Sequence, residues 1–414
     1  MEQKEHRRAA AIILIAWLAY MISYVGRSDY SACVLEIVNA TGANRTTAGM
    51  VASVFSLCNA LGQLVSGFIM KKISALKVIA AELCIVCVIN FLFPITDSFL
   101  VMAVLWGING TLQSTLLCGI TQIFAHNLKE PYLSRGMVLM NTIGAAGGFF
   151  NYILSFILIR FFSWKCVFFS VSVMLAAVAS LWIAVMPKLA KMPLTEPAAP
   201  IGVKPASQTS LYIIFCRHGT IYVIVAAFFI GGLRESVSLW IPSYMNEVFF
   251  LGSDVATVIT AVVPCLQVCG ALLGGVFGRR SRVLQYPACI AFFLSAFCLM
   301  MIRILGNFSL IITIGLFVVN AISMTAALTF LLSLFPVRHV KSGNVAVLVG
   351  IINFSVHSGD FFASTGIGWL SAFGWNSAFL ILCFAAAMGG IVCLLGGFSC
   401  LREEKKNGKE RISI

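Results

Sequence analysis

Two arginines lie deep inside long apolar runs of this chain, Arg27 and Arg234, while nearly all the rest of its 28 lysines and arginines fall in connecting segments or tails. A guanidinium held at the centre of a bilayer costs about 2.5–3.5 kcal/mol even on the lenient insertion scale. Such a group faces a protein interior or a wet cavity and has a partner there. The acids nearest in sequence, Asp29 and Glu235, stand two and one positions away, and helix neighbours at that spacing do not share a face. The expected partner is therefore an anion supplied from outside the chain. A phosphate or carboxylate matches the guanidinium fork, and charge-assisted hydrogen bonds are the strong ones. The competing reading is a structural ion pair, for which Asp360, on another helix, is available to either arginine.

Further polar residues recur at helical spacing. Tyr20, Tyr24, Arg27 and Ser31 follow one another at intervals of 4, 3 and 4 and so share a face. Ser56, Asn59, Gln63 and Ser66 form a second stripe, and Asn109 with Gln113 a third. Asn141, Gly144, Gly148 and Asn151 make a fourth, and Asn353, His357, Asp360 and Ser364 a fifth. The tyrosines could offer hydroxyls to an anion or simply pack between helices. The amides, Gln63 and Asn141 among them, could meet substrate hydroxyls or act as interhelical glue. His357 and Asp360 could pass a proton, bond two helices together or balance an arginine. The candidate substrate-binding set is Arg27, Arg234, Tyr20, Tyr24, Gln63, Asn141, His357 and Asp360.

The elements that must position these residues are membrane helices. Of 414 residues 60% are hydrophobic and 10% charged, against about 25% charged in a soluble domain. Twelve runs approach the roughly 20 apolar residues that span a bilayer: 10–38, 47–70, 77–95, 99–125, 136–160, 164–187, 219–249, 254–277, 285–304, 308–335, 345–370 and 375–399. No stretch alternates like a lipid-facing strand, so the fold class is all-α integral membrane. The first run is too long for a cleaved signal and is expected to stay. The net charge of +13 follows from the positive-inside rule rather than from nucleic-acid binding. With the amino terminus inside, 22 basic residues fall on the cytoplasmic side and 4 on the other, the remaining two being Arg27 and Arg234. Both termini are then cytoplasmic, in a cell (inner or plasma) membrane. The 14 cysteines lie almost entirely within the apolar runs and read as small apolar filler. The basic tail after residue 400 could touch anionic lipid, although an ordinary solvated end explains it as well. There is no phosphate-cradling loop, metal-ligand cluster or nucleophile elbow. Neither enzymatic chemistry nor a metal or cofactor is expected.

The chain repeats itself. Gly62, Gly67 and Lys71–Lys72 correspond to Gly270, Gly275 and Arg279–Arg280 at an offset of 208. The motif from Trp164 to Phe168 returns as Trp375 to Phe379 at an offset of 211, and Arg27 and Arg234 stand 207 apart. A Pro- and small-residue-rich stretch separates the copies. The expected organisation is a six-helix bundle over 1–187, a cytoplasmic linker over 188–210, a second six-helix bundle over 211–400 and a tail over 401–414. A repeat of six helices in parallel topology points to the two pseudo-symmetric halves of a transporter.

The plan resembles the major facilitator superfamily, and within it the organophosphate:phosphate antiporters, such as the glycerol-3-phosphate and hexose-phosphate transporters. The segment AYMISYVGRSDYSACV is similar to that family's first helix, with Tyr20 and Tyr24 preceding Arg27 by seven and three residues. GGLRESVSLWIPSYMNEV is similar to its seventh helix, where Arg234 is followed by Trp240, Pro242 and Tyr244. The resemblance implies that the paired arginines bind phosphate. It also marks departures. Gln63 stands where the glycerol-3-phosphate type has a lysine, Gly144 where it has a histidine, and Gly231 where it has a tyrosine; MKKISALK lacks the superfamily's acidic loop residue. The leading expectation is a monomeric secondary transporter that exchanges a phosphate ester for inorganic phosphate by alternating access. A proton-coupled carboxylate or sugar-acid symporter is the alternative, and an anion sensor that moves nothing is the third.

Overall fold

The computed structural model describes residues 2–129, 132–140, 142–190, 219–306, 308–338 and 345–410. The described residues are helical with turns between, and contain no strand. In chain order the helices are α1 (Glu2–Thr41), α2 (Arg45–Lys72), α3 (Ala75–Leu92), α4 (Phe99–Asn127), α5 (Tyr132–Met140), α6 (Ile143–Phe161) and α7 (Trp164–Leu189). They continue with α8 (Thr220–Phe249), α9 (Ser253–Thr260), α10 (Val262–Arg280), α11 (Gln285–Leu305), α12 (Leu310–Leu328), α13 (Val345–Ser371) and α14 (Trp375–Glu410). α12 runs on through a π-helical turn, Thr329–Leu334, into a last turn at Phe335–Arg338. Eleven helical segments among the described residues are long and apolar enough to cross a membrane. α13, 27 residues long, stands at the remaining expected span. The expected linker falls almost wholly outside the described residues, as does Asn141.

Local chemistry sets the helix ends and two interruptions. Asn44 caps α2, its Oδ1 accepting from the Thr47 amide at 2.8 Å. Gly42, with φ +66°, turns the chain out of α1, and Gly374, with φ +102°, leads into α14. The run expected as one helix over 254–277 is broken at Ala261, whose amide bonds Val258 O at 3.1 Å in a tighter turn. Pro264 explains the break: it has no N–H for the Thr260 carbonyl, and its ring crowds the preceding turn. The run expected over 136–160 is likewise split, with the chain turning at Thr142 as its amide reaches back to Leu139 O. α14 continues beyond its apolar part to Glu410, through residues of high helix propensity.

The chain forms two compact units: Met1–Gly202 with Ile241–Cys265, and Val203–Trp240 with Leu266–Ile414. Both boundaries inside the second half lie beside a proline, Pro242 or Pro264.

In the first unit, Ile12, Ala16, Ala19, Leu76, Ile79, Leu83, Leu116, Leu175 and Trp182 share one core. An aromatic cluster continues it: Phe93 stacks on Phe168 at 4.7 Å, and Tyr30 and Phe55 lie against Trp106. At one end Arg8 ties three helices, donating to Leu189 O at 2.7 Å and to Asn127 Oδ1 at 3.0 Å. At the other end Ile241–Cys265 packs onto this unit. Arg45 pairs with Glu247, Arg160 Nη1 meets Asp254 Oδ2 at 2.8 Å, and Thr257 Oγ1 donates to Ala32 O at 3.4 Å.

In the second unit, Ser295 donates to Asn320 Oδ1 at 2.6 Å between α11 and α12. The repeat is visible in the packing of each unit. A Cβ on Gly62 of α2 would stand 2.3 Å from Ser114 Oγ of α4, and one on Gly270 of α10 would stand 2.3 Å from Ile322 O of α12. Small residues at both places let the backbones approach.

A partly exposed ion pair contributes about 0–1 kcal/mol. In a variant keeping Cys33 as its sole cysteine, the double substitution Glu247→Gln and Asp254→Asn should raise labelling of that buried thiol by a membrane-impermeant maleimide, by up to about tenfold. Unchanged labelling rates would show that these pairs do not hold Ile241–Cys265 in place.

Candidate functional site

In the first unit the site residues ride on α1. Arg27 is half-buried, and its guanidinium carbon lies 4.7 Å from the centre of the Tyr24 ring and 5.7 Å from that of Phe55. Ring faces carry negative electrostatic potential, so two of them hold a cation without neutralising it. Phe55 is in turn fixed by Trp106, with ring centres 6.1 Å apart. Tyr24 finds room because α6 is bare opposite it. A Cβ on Gly147 would lie 2.9 Å from Tyr24 Cδ1, and one on Gly144 would lie 3.8 Å from the Tyr24 hydroxyl. Tyr20 packs half-buried against the core one turn earlier.

Several of the amides bond one helix to another. Asn109 Nδ2 donates to Gly26 O at 2.9 Å, Asn90 Nδ2 to the same oxygen at 3.2 Å, and Gln113 Nε2 to Ser23 O at 2.8 Å. They grip the backbone of α1 on both sides of Tyr24. Gln63 Nε2 donates to Asn59 Oδ1 at 2.7 Å within α2. Asn151 is fully buried, and neither its nitrogen nor its oxygen has a hydrogen-bond partner.

In the second unit α8 carries Arg234, and here one expectation fails. Arg234 Nη2 pairs with Glu235, its immediate neighbour. The helix-face rule describes where Cβ atoms point, and two side chains this long bend around the helix to meet. The arginine is not saturated by the pairing, because its Nε is buried and has no hydrogen-bond partner. Asp360 of α13 accepts from Ser236 Oγ at 2.7 Å and Ser364 Oγ at 2.9 Å, while Trp240 Nε1 donates to Ser364 O at 3.0 Å. These bonds tie α13 to α8. His357 lies one turn before Asp360 and is half-buried.

The two helices touch backbone to backbone. A Cβ on Gly231 would stand 1.8 Å from Val356 O, and one on Gly359 would stand 1.7 Å from Phe228 O. Gly231 is where the resembled family has a tyrosine; in this chain α13 fills that space with its own main chain. The crossing places Arg234 one turn from Gly231, and Asp360 next to Gly359.

Sequence reasoning missed Phe55, whose closeness to Arg27 no periodicity reveals. It also passed over Glu82, whose side chain is fully buried.

The family model of the Major Facilitator Superfamily matches residues 16–364. The chain belongs to that superfamily. Among curated relatives, the membrane sensor protein UhpC of Escherichia coli (strain K12) is 30% identical over 102 residues, covering 25% of this chain and 23% of that protein. Its counterpart in Salmonella typhimurium (strain LT2) is 28% identical over a stretch of the same length. The match thus spans about a quarter of the curated relatives. Among solved structures, a bacterial homolog of the human lysosomal transporter Spinster, inward-facing and occupied, superposes with TM-score 0.78 at 12% identity, over 95% of this chain and 97% of that one. The nucleoside transporter NupG gives 0.76 at 11% identity, over 93% and 99%. At such identities the likeness is one of fold, and the fold is that of a multi-pass membrane transporter.

Gly231→Ala and Gly359→Ala each force the crossing apart, and overpacking of this kind costs about 1–3 kcal/mol. Each should lower the thermal midpoint of the detergent-purified protein by several degrees. Gly350→Ala on α13, where a Cβ meets nothing within 4 Å, should leave it unchanged. Equal midpoints for all three would refute the crossing.

Proposed function

We propose that this protein is a secondary transporter of a small organic anion, and that the anion is a phosphate ester exchanged for inorganic phosphate. The observation that carries this reading is the buried Nε of Arg234, a charged donor with no acceptor in a membrane helix. A buried hydrogen-bond donor on a charged group is costly to leave unmet, and an anionic oxygen meets it best. Arg27, at the repeat-related position of α1 and held by ring faces, is a second guanidinium suited to an anion. Tyr20, Tyr24, Gln63, His357 and Asp360 complete the proposed substrate-binding set. Asn141 belongs to the same proposed set on its sequence position alone. Anion binding at the arginines would offset their charge and ease crossing, whereas uncompensated guanidiniums would resist it. That logic favours exchange. The split of basic residues supports a cell-membrane protein with both termini in the cytoplasm.

A second reading is favoured by the UhpC match, since that relative is named a membrane sensor. The same arginines would then bind an anion without moving it. Reconstitution separates the two. Self-exchange of labelled phosphate in liposomes supports transport, whereas a phosphate-induced thermal shift with no flux supports sensing.

Replacing Arg27 or Arg234 with lysine keeps the charge and removes the fork. Each substitution should cut phosphate exchange by about tenfold or more, the equivalent of one charge-assisted bond. If both variants exchange like the parent, the anion site lies elsewhere. Glu235 competes with the ligand for Arg234. Glu235→Gln should therefore tighten phosphate binding, by up to about tenfold in a calorimetric titration. Weaker binding would mean that Glu235 positions the arginine instead.

A further inference from the structure

Glu82, in the middle of α3, is fully buried in a membrane-spanning helix, and no ion pair reaches it among the described residues. Its Oε1 accepts the Ser23 hydroxyl at 2.5 Å, and its Oε2 has no partner. Gln113 of α4 meets the same residue of α1, donating Nε2 to Ser23 O. Because a carbonyl can only accept, that bond fixes which way round the amide sits, and it leaves the Gln113 oxygen buried without a donor. Three residues along α1, Asn90 and Asn109 both donate to Gly26 O, and both of their oxygens are buried without a donor as well. The space behind α1 therefore holds four acceptor oxygens that nothing among the described residues satisfies, one of them on a carboxyl group.

Acceptor-only imbalance of this kind is corrected by adding a hydrogen. We propose that Glu82 is a proton-binding site of this protein, taking a proton from the aqueous phase on Oε2 and donating it as a hydrogen bond to the acceptor oxygens behind α1, with the Gln113 oxygen as its partner across Ser23. The protonated carboxyl is a donor and an acceptor at once. It closes a chain from Ser23 hydroxyl to Glu82, from Glu82 to Gln113, and from Gln113 back to the Ser23 carbonyl. Loss of the proton places a negative charge against the backbone segment of α1 that carries Tyr20, Tyr24 and Arg27. Coupling of that proton to anion movement rests on the transport reading given above, and the binding of the proton does not.

The surroundings are otherwise poor in charge. From α1, Tyr20 and Tyr24 pack against the same core as Leu83 and Val86 of α3. On α3 itself, Cys84 stands two residues from Glu82. α4 presents Gln113, and α7 faces α3 with Val171, Ser172, Leu175 and Trp182, none of which titrates in the range of a carboxyl. Arg27 is the cation in this neighbourhood, and its guanidinium rests over Tyr24 and Phe55.

Two measurements test the site. Infrared difference spectra of the purified protein across a pH titration should contain a protonated-carboxyl band that Glu82→Gln removes and Glu82→Asp retains. In proteoliposomes, an inside-alkaline pH gradient should accelerate inorganic phosphate uptake severalfold. Glu82→Gln should abolish that acceleration while leaving phosphate self-exchange, and hence folding, intact. A carboxyl band untouched by Glu82→Gln overturns the proton site. Acceleration that persists in Glu82→Gln, or that follows a sodium gradient instead, overturns the coupling. If phosphate moves under no condition while the band titrates and depends on Glu82, the transport reading fails and the proton site stands.

Discussion

A hydrocarbon environment offers no hydrogen bonds, so every polar atom in a membrane helix must be answered by the protein or by its ligand. That constraint organises this chain. Around Gly26 and Ser23, three side-chain amides from α3 and α4 spend their N–H groups on carbonyls of α1. Around Asp360, two serine hydroxyls from α8 and α13 converge on one oxygen. The helices that carry Arg27, Arg234 and Asp360 are thus bonded to their neighbours through polar groups. Rigid placement of a charge and satisfaction of polar groups are achieved by the same bonds.

Where the accounting is incomplete, the gaps differ in sign. Arg234 has a donor left over, and the cluster behind α1 has acceptors left over. A surplus donor on a guanidinium invites an anion, whereas surplus acceptors around a carboxyl invite a proton. The two gaps belong to different units and do not compete for one ligand. A protein that binds both species needs such opposed deficits, because a fully satisfied interior would bind neither.

Much of this was legible in the sequence, for physical reasons that can be named. Arg27 and Arg234 stand out because charge in an apolar run is expensive, and the repeat stands out because glycines that let helices touch recur at a fixed offset. The polar stripe on α13 could be read from its spacing, and the structure gives it a bonding role toward α8 that spacing could not distinguish from a relay. The pairing of Arg234 with Glu235 was hidden, since a rule about helix faces ignores the reach of long side chains. The break at Ala261 could have been read from Pro264, three residues on. The role of Glu82 could not, because it depends on which residues of α1 and α4 meet it across the helix packing. Asn90, Asn109 and Gln113 were visible as polar residues, but which oxygen or carbonyl each would face is a matter of tertiary register.

The contact between Gly231 and Val356, and its mirror between Gly359 and Phe228, leaves no side chain between the two main chains. Side chains are the compressible part of a helix interface, and without them α8 and α13 cannot slide or tilt past one another by small amounts. A tug on Arg234 is therefore delivered undamped to the turn that bears His357 and Asp360, as through a rivet rather than a cushion. Any force that moves one helix must carry the other with it, so the second unit has fewer independent motions than its number of helices would suggest.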